Sequence, residues 1–128
     1  MTRRLSVRVD REHQEAVSFV KQVRLNTKRW PDLNWLAHFP NGGKRGKAAA
    51  GKLKAEGTKR GVPDYLMPVR RGDYVGLAIE LKAPGGRASP EQREWIAHLR
   101  SQGWRAEVVV GAVAAWDLVR EYMEDGAL

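Results

Sequence analysis

The sequence predicts an α/β fold in which helices flank a mixed β-sheet. Three observations support this: helical and strand-like segments alternate, two neighbouring strand-like segments are separated by a turn, and a helical segment leads from them to a later apolar strand. Strands joined by a turn pair antiparallel, whereas strands joined through a crossover helix pair parallel, so both pairings are expected. With 128 residues the chain has the length of one domain, and we expect that domain to span residues 1–128.

The first third of the chain predicts a helix and then a short strand. Residues 12–25 carry apolar side chains at helical spacing, and Asp10 is a suitable N-cap for them. Residues 34–39 predict a short strand, and the Pro-Asn-Gly-Gly stretch at residues 40–43 predicts a turn.

The middle of the chain predicts a helix followed by a hairpin. Residues 44–56 place three successive alanines among lysines, which favours a helix, although two internal glycines weaken it. Residues 63–69 and 74–82 are strand-like, and the Arg-Arg-Gly-Asp stretch at residues 70–73 separates them as a turn.

The last third predicts helix, strand and helix. Ser89 is a suitable N-cap, Pro90 suits the first helical position, and Gln92 stands where a capping box needs it. This helix ends at a glycine. Residues 106–110 form a nearly continuous apolar run, typical of a strand that is buried on both faces, and residues 112–123 predict the final helix.

The charge of the chain points to a polyanion as partner. Lysine and arginine number 23 against 15 acidic residues, a net charge of +8, and residues 41–60 alone hold seven basic residues and one acidic one. A solubilising surface is the alternative explanation. The candidate nucleic-acid contacts are Asn41, Gly42, Gly43, Lys44, Arg45, Lys47, Lys52, Lys54, Lys59 and Arg60.

Composition also excludes several classes of protein. Cysteine is absent, which excludes a disulfide scaffold, a thiolate zinc site and a cysteine nucleophile. No apolar run approaches the roughly 20 residues of a membrane span, and the charged first residues do not resemble a secretory signal. We therefore expect a cytoplasmic protein with no membrane partner.

The predicted hairpin gathers three side chains that can carry chemistry. Asp64 begins one strand, while Glu80 and Lys82 share one face of the next strand and Leu81 points to the core. Asp64 and Glu80 flank a turn centred near Gly72, which makes them cross-strand neighbours. Two adjacent carboxylates repel each other unless a cation lies between them, and Mg²⁺ prefers such oxygen ligands. A surface hairpin with a cross-strand salt bridge is the alternative.

These residues resemble the signature of the PD-(D/E)xK nucleases, and most closely the virus-type replication-repair nuclease (VRR-NUC) branch in its stand-alone phage and bacterial forms. The motifs that carry the resemblance, in order, are Glu12-His13, Pro40-Asn41-Gly42-Gly43-Lys44-Arg45, Leu53-Lys54-Ala55-Glu56-Gly57, Gly61-Val62-Pro63-Asp64, Gly76-Leu77-Ala78-Ile79-Glu80-Leu81-Lys82, Ser89-Pro90-Glu91-Gln92 and Gly103. Each motif is short, but their ordered set covers about residues 10 to 124. The resemblance implies a restriction-endonuclease-like core.

The resemblance also implies roles for individual residues. Asp64 and Glu80 would bind Mg²⁺ or Mn²⁺, with the Leu81 carbonyl as a further ligand, and Lys82 would be the catalytic lysine. The helical carboxylate would be Glu12, which reaches the metal directly or through water, and the active-site glutamine would be Gln92. In one respect the chain departs from its relatives, because Ala16 stands where they commonly carry glutamine. Glu15 lies on the same helix and is the alternative to Glu12.

The function that follows is metal-dependent, structure-selective cleavage of DNA. The resemblance implies hydrolysis of phosphodiester bonds in branched, junction or flapped DNA by a homodimer, because a dimer sets two sites against two strands. Two alternatives remain open at the level of sequence. One is a nucleic-acid-binding module without catalysis, and the other is an RNase or nuclease toxin that uses the same site.

Overall fold

The chain forms a four-stranded mixed sheet with helices on both faces. The computed structural model describes residues 2–40 and 46–125, with side chains from residue 10 to residue 124 within those ranges. The helices are α1 (Thr2–Leu25), α2 (Lys47–Ala55), α3 (Pro90–Ser101) and α4 (Ala112–Asp125), and the 3-10 helix is Pro31–Trp35. The strands are β1 (Ala37–His38), β2 (Tyr65–Met67), β3 (Leu77–Lys82) and β4 (Arg105–Val110).

The strands lie in the order β1-β2-β3-β4. The pairs β1–β2 and β2–β3 are antiparallel, whereas β3 and β4 are parallel and are joined through α3. This confirms the predicted fold class, a hairpin followed by a helical crossover. The hairpin strands are shorter than predicted because pairing stops at Met67 and resumes at Leu77, and an isolated bridge between Arg71 and Tyr74 closes the turn.

Helix α1 differs most from its prediction. It begins at Thr2, so Asp10 lies inside the helix and is not its N-cap. Between Thr2 and Leu25 the sequence contains neither glycine nor proline, so nothing ends the helix at that point.

The strand predicted over residues 34–39 is also only partly formed. Pro31 occupies the first position of the 3-10 helix, where its fixed φ is favourable, and that helix continues to Trp35. Only Ala37 and His38 then pair with β2. The predicted turn at residues 40–43 lies, beyond Pro40, outside the described residues.

Helices α2, α3 and α4 form where the sequence predicts them. Ser89 and Gln92 form the complete capping box of α3, with the side chain of each accepting a hydrogen bond from the backbone N–H of the other. Gly103 follows α3 with φ +94°, a conformation that favours glycine. Helix α2 has no buried residue, and all of its side chains are exposed except that of Leu53, which is half-buried.

The prediction that residues 106–110 are buried on both faces is wrong. Strand β4 is the outermost strand of the sheet, and Val108 and Val110 are 37% and 50% exposed. An apolar run shows that a strand is present but not which neighbours it has, so the sequence could not place β4 at the edge.

Strand β3 lies at the centre and is buried along its whole length. One face joins a large apolar cluster with α1 and α4 that includes Phe19, Ile79 and Tyr122. The other face meets α3 in a smaller cluster that includes Ala78 and Ile96. Among the described residues, no helix is both long and apolar enough to cross a membrane.

Candidate active site

The second face of β3 changes from apolar to charged toward the end of the strand. Ala78 packs under α3, and the next two side chains on that face are Glu80 and Lys82. Glu80 is 1% exposed and Lys82 is 8% exposed. The Lys82 Nζ lies 3.1 Å from the Glu80 Oε2. A carboxylate and an ammonium are therefore held together at the sheet surface and almost entirely out of water.

Asp64 joins this pair from the neighbouring strand. The register pairs Tyr65 with Ile79, so the next pair in that register is Asp64 with Glu80, as the hairpin predicts. The Leu81 N–H donates to the Asp64 Oδ2 at 2.8 Å. The Asp64 carbonyl oxygen accepts from the Phe39 N–H at 2.7 Å, which joins the end of β1 to the same point.

The side-chain amide of Gln92 makes two contacts. Its Oε1 accepts from the Ser89 N–H at 2.7 Å, which completes the capping box of α3. Its Nε2 donates to the Glu80 Oε2 at 3.1 Å. Because the oxygen is engaged by a backbone donor, the amide must present its N–H to Glu80. The cap of α3 thereby orients the amide toward the carboxylate.

Burial makes the two carboxyl groups difficult to ionise together. Burial first, and then the negative charge of Asp64, raise the pKa of Glu80 to about 8, against the opposing effect of Lys82. Burial also raises the pKa of Asp64, while the Leu81 N–H lowers it. Without a further positive charge, this pair holds a proton near neutral pH.

The donor set fits a hard divalent cation. The Glu80 Oε1 is buried and has no hydrogen-bond partner among the described residues, so one carboxylate oxygen is left for a ligand. The described chain contains no group of three or more acidic or histidine side chains arranged for a metal. Asp64 and Glu80 are the two carboxylates that could serve as ligands here, and the backbone carbonyl of Leu81 is a further oxygen donor on the same strand as Glu80.

The two glutamates of α1, Glu12 and Glu15, have different contacts in the structure. The Glu15 Oε1 accepts from the Ala112 N–H at 2.8 Å, so Glu15 caps the first turn of α4. Glu12 lies about one turn earlier on α1 and is half-buried, and within the described part of the chain it forms no hydrogen bond or ion pair. The structure thus brings Asp64, Glu80, Lys82 and Gln92 together and leaves Glu12 without a contact to them.

Comparison with known proteins identifies the family. A model of the VRR-NUC domain matches residues 8–113, most of the chain. The chain belongs to the VRR-NUC family. A solved structure described as a VRR_NUC domain protein superposes with this VRR-NUC chain at a TM-score of 0.73 and 26% sequence identity, covering 91% of this chain and 93% of that chain. No curated protein matches the sequence. The resemblance drawn from the motifs is thereby confirmed, and it places the chain in a family of nucleases.

The basic residues of this VRR-NUC chain divide into paired and unpaired groups. Lys47, Lys52 and Lys54 project from the exposed helix α2, and Lys59 and Arg60 follow it; none of these side chains has an ion pair within the described ranges. The paired group consists of arginines that have carboxylate partners. Its ion pairs are Arg29 with Glu124, Arg71 with Asp32, Arg100 with Glu107, Arg105 with Glu107 and Glu121, and Arg120 with Asp117 and Glu124. Asn41, Gly42, Gly43, Lys44 and Arg45 lie outside the described residues.

Sequence reasoning missed the contacts that hold the loop before Asp64. Gly61 has φ +87°, and a Cβ there would lie 2.6 Å from the backbone carbon and oxygen of Glu91 in the first turn of α3. The Trp95 Nε1 donates to the Arg60 carbonyl oxygen at 3.0 Å. The only sequence signal for this packing was the glycine three residues before Asp64.

Proposed function

We propose that this VRR-NUC chain is a metal-dependent DNA endonuclease that hydrolyses phosphodiester bonds in branched, junction or flapped DNA. The observation that carries the proposal is the buried group formed by Asp64, Glu80 and Lys82. Two carboxylates oppose each other across a hairpin, one of their oxygens has no partner among the described residues, and an ammonium lies 3.1 Å from the second carboxylate.

The mechanism assigns each side chain one task. Asp64, Glu80 and the Leu81 carbonyl would hold the cation, and Mg²⁺ or Mn²⁺ would supply Lewis-acid polarisation of the scissile phosphate. The ammonium of Lys82 is fixed by its ion pair with Glu80 and stabilises the negative charge that develops on the phosphate. Gln92 keeps Glu80 in place through the hydrogen bond from its amide.

Glu12 is the carboxylate of α1 that remains available for the reaction. Its neighbour Glu15 is already engaged by the Ala112 N–H, and Glu12 has no partner in the described part of the chain. In this proposal Glu12 would complete the site from α1, as the resemblance implies, either as a direct ligand or through a water molecule.

The unpaired basic surface supports DNA as the substrate. The α2 lysines, Lys59 and Arg60 are exposed and have no carboxylate partner among the described side chains, which suits them to phosphate contacts. Lys44 and Arg45, which follow Asn41, Gly42 and Gly43 in the sequence, add two more basic residues to the same segment. A homodimer would present two such sites to the two strands of a branched substrate.

The experiment that tests the proposal is a cleavage assay on labelled substrates. Four-way junction, flap, splayed and linear DNA, and an RNA of matched sequence, are each incubated with Mg²⁺, Mn²⁺ or EDTA. We expect metal-dependent cleavage of branched or flapped DNA by the wild type and none by Asp64→Asn. Binding without cleavage under every condition would indicate a module that lacks catalysis, and preferential cleavage of the RNA would indicate a ribonuclease.

A further inference from the structure

A groove lies beside the candidate site, between α1 and the edge of the sheet. Its volume is about 630 Å³, which is within the usual range for ligand sites. One wall is a stripe of α1 that includes Ala16, Val17 and Val20, and the other includes the rings of His38 and Tyr65. Val17 is 53% exposed, so part of this apolar stripe faces solvent.

The groove is joined directly to Asp64. Tyr65 is the next residue in the chain, and the His38 Nδ1 lies 3.0 Å from the Asp64 carbonyl oxygen. The two rings pack together with their centroids 4.9 Å apart. A strand whose phosphate is held at Asp64 and Glu80 would therefore have neighbouring nucleotides within reach of the exposed His38 ring, while Tyr65, which is 2% exposed, supports that ring.

The rim of the groove is basic. Lys21 and Arg24 are on the rim, one turn apart on α1, both are exposed, and neither side chain has an ion pair within the described ranges. None of the described residues that line the groove is acidic. The groove therefore offers apolar surface and the exposed ring of His38, with cations beside them.

We propose that this groove binds the unpaired bases of a single DNA strand next to the cleavage site. A base has an apolar face that stacks on aromatic and aliphatic side chains, and its phosphate carries the charge that complements Lys21 and Arg24. In duplex DNA that face is covered by stacking, so only an unpaired segment fits. The inference rests on the proposed function, and it narrows the substrate to DNA with a single-stranded arm at the cut.

Charge favours a DNA strand over a second copy of the chain as the occupant. The chain carries a net charge of +8, and a copy placed on this rim would bring further positive charge toward Lys21 and Arg24. A polyanion gains from the same rim, and its flexible single strand can follow the length of α1.

The test compares two strands that differ only in their bases. Fluorescence anisotropy in EDTA measures the affinity of the protein for a short oligothymidylate and for an abasic strand of equal length. We expect the oligothymidylate to bind at least about tenfold more tightly, since each stacked base contributes about that factor or more. Val17→Glu places a carboxylate in the groove and should remove this preference.

Two control variants keep the result specific. Val113→Glu makes the same change at a valine that is 78% exposed on α4 and lies outside the groove, and it should keep the ratio of the two affinities. Lys21→Ala should weaken binding of both strands more than Lys28→Ala, because Lys28 is exposed but does not line the groove.

Two results would overturn the inference. One is equal affinity of the wild type for the two strands. The other is a Val17→Glu variant that keeps the base preference and changes its sedimentation coefficient, which would make the groove an interface between copies. Because the assay contains no divalent metal, a persistent base preference in a protein that cleaves no DNA would contradict the proposed function alone.

Discussion

The two faces of β3 are equally buried and serve opposite purposes. On one face Leu77, Ile79 and Leu81 lie in the large apolar cluster, at 0%, 0% and 5% exposure. On the other face Ala78 is followed by Glu80 and Lys82, which are almost as deeply buried. Burial of the first face stabilises the fold, whereas burial of the second opposes ionisation and raises the pKa of Glu80. Burying the charged groups costs free energy of folding, and the burial of the apolar face offsets that cost.

The largest expected effect comes from Glu80→Gln. This change keeps the shape of the side chain and removes one charge from the cation site, so cleavage should fall by at least about a thousandfold. Binding of DNA should persist or improve, since repulsion between carboxylate and phosphate decreases. Single-turnover cleavage and a binding titration measure the two quantities.

Glu94→Gln is the matched control for this change, because Glu94 is an exposed glutamate on α3 without a partner in the described residues. It should cleave as the wild type does. Full cleavage by Glu80→Gln at saturating Mg²⁺ would be incompatible with the proposed site.

The opposite face should respond to truncation with a loss of stability. Ile79→Ala removes buried methyl and methylene groups from the large cluster and should lower the free energy of unfolding by about 2–5 kcal/mol. Urea denaturation measures this loss. The single-turnover rate of the folded fraction should stay within a few-fold of the wild type. A fall as large as that of Glu80→Gln would mean that the two faces do not act separately.

In the absence of metal, the free energy of unfolding should depend on pH. The pKa of Glu80 is about 8 in the folded chain against an ordinary value of 4.5. Between these values the folded state keeps a proton that the unfolded state has released. The free energy of unfolding should therefore fall as pH rises through this window, by about 1.4 kcal/mol for each pH unit.

Urea denaturation in EDTA at several pH values measures this slope, and the effect should level off below and above the window. Glu80→Gln should remove most of the slope. A free energy of unfolding that instead rises with pH across the window would contradict the assigned burial of Glu80.

The smallest expected effect concerns DNA binding through α2, which involves neither face of β3. A variant with alanine at Lys47, Lys52 and Lys54 should flatten the dependence of log affinity on log salt by up to about three, if each lysine neutralises one phosphate. A binding titration in Ca²⁺ at several salt concentrations measures the slope. The same neutralisation at Arg29, Arg100 and Arg120, which already have carboxylate partners, should change it much less. Equal slopes in the two triple variants would show that α2 does not contact the DNA backbone.

The sequence predicted those features that depend on local chemistry. The capping residues located the start of α3, because a serine and a glutamine at that spacing satisfy each other's backbone donors. The turn near Gly72 gave the register that opposes Asp64 to Glu80, because side-chain direction alternates along each strand. These are interactions between residues that are close in sequence or joined by one turn.

The features that the sequence did not predict depend on distant neighbours. Strand β4 has an apolar sequence, but its exposure follows from its place at the edge of the sheet. Glu15 and Glu12 are alike in type and helical context, and only the position of Ala112, far along the chain, distinguishes them. The predicted α1 was too short at its start. Asp10 is a residue type that suits an N-cap, but it does not prevent a helix from continuing through it, and α1 begins at Thr2.

The close packing of Gly61 against α3 affects the order in which the candidate site can form as the chain folds. The backbone at Gly61 lies so close to Glu91 that a single added carbon would overlap the first turn of α3, and the Trp95 indole fastens the same loop. Asp64 follows this loop and is set opposite Glu80 by the hairpin, whereas Gln92 lies in that turn and reaches Glu80 only when α3 docks on the sheet. A chain still emerging from the ribosome would thus lack the contact between Gln92 and Glu80 until residues 90–101 have been made and packed.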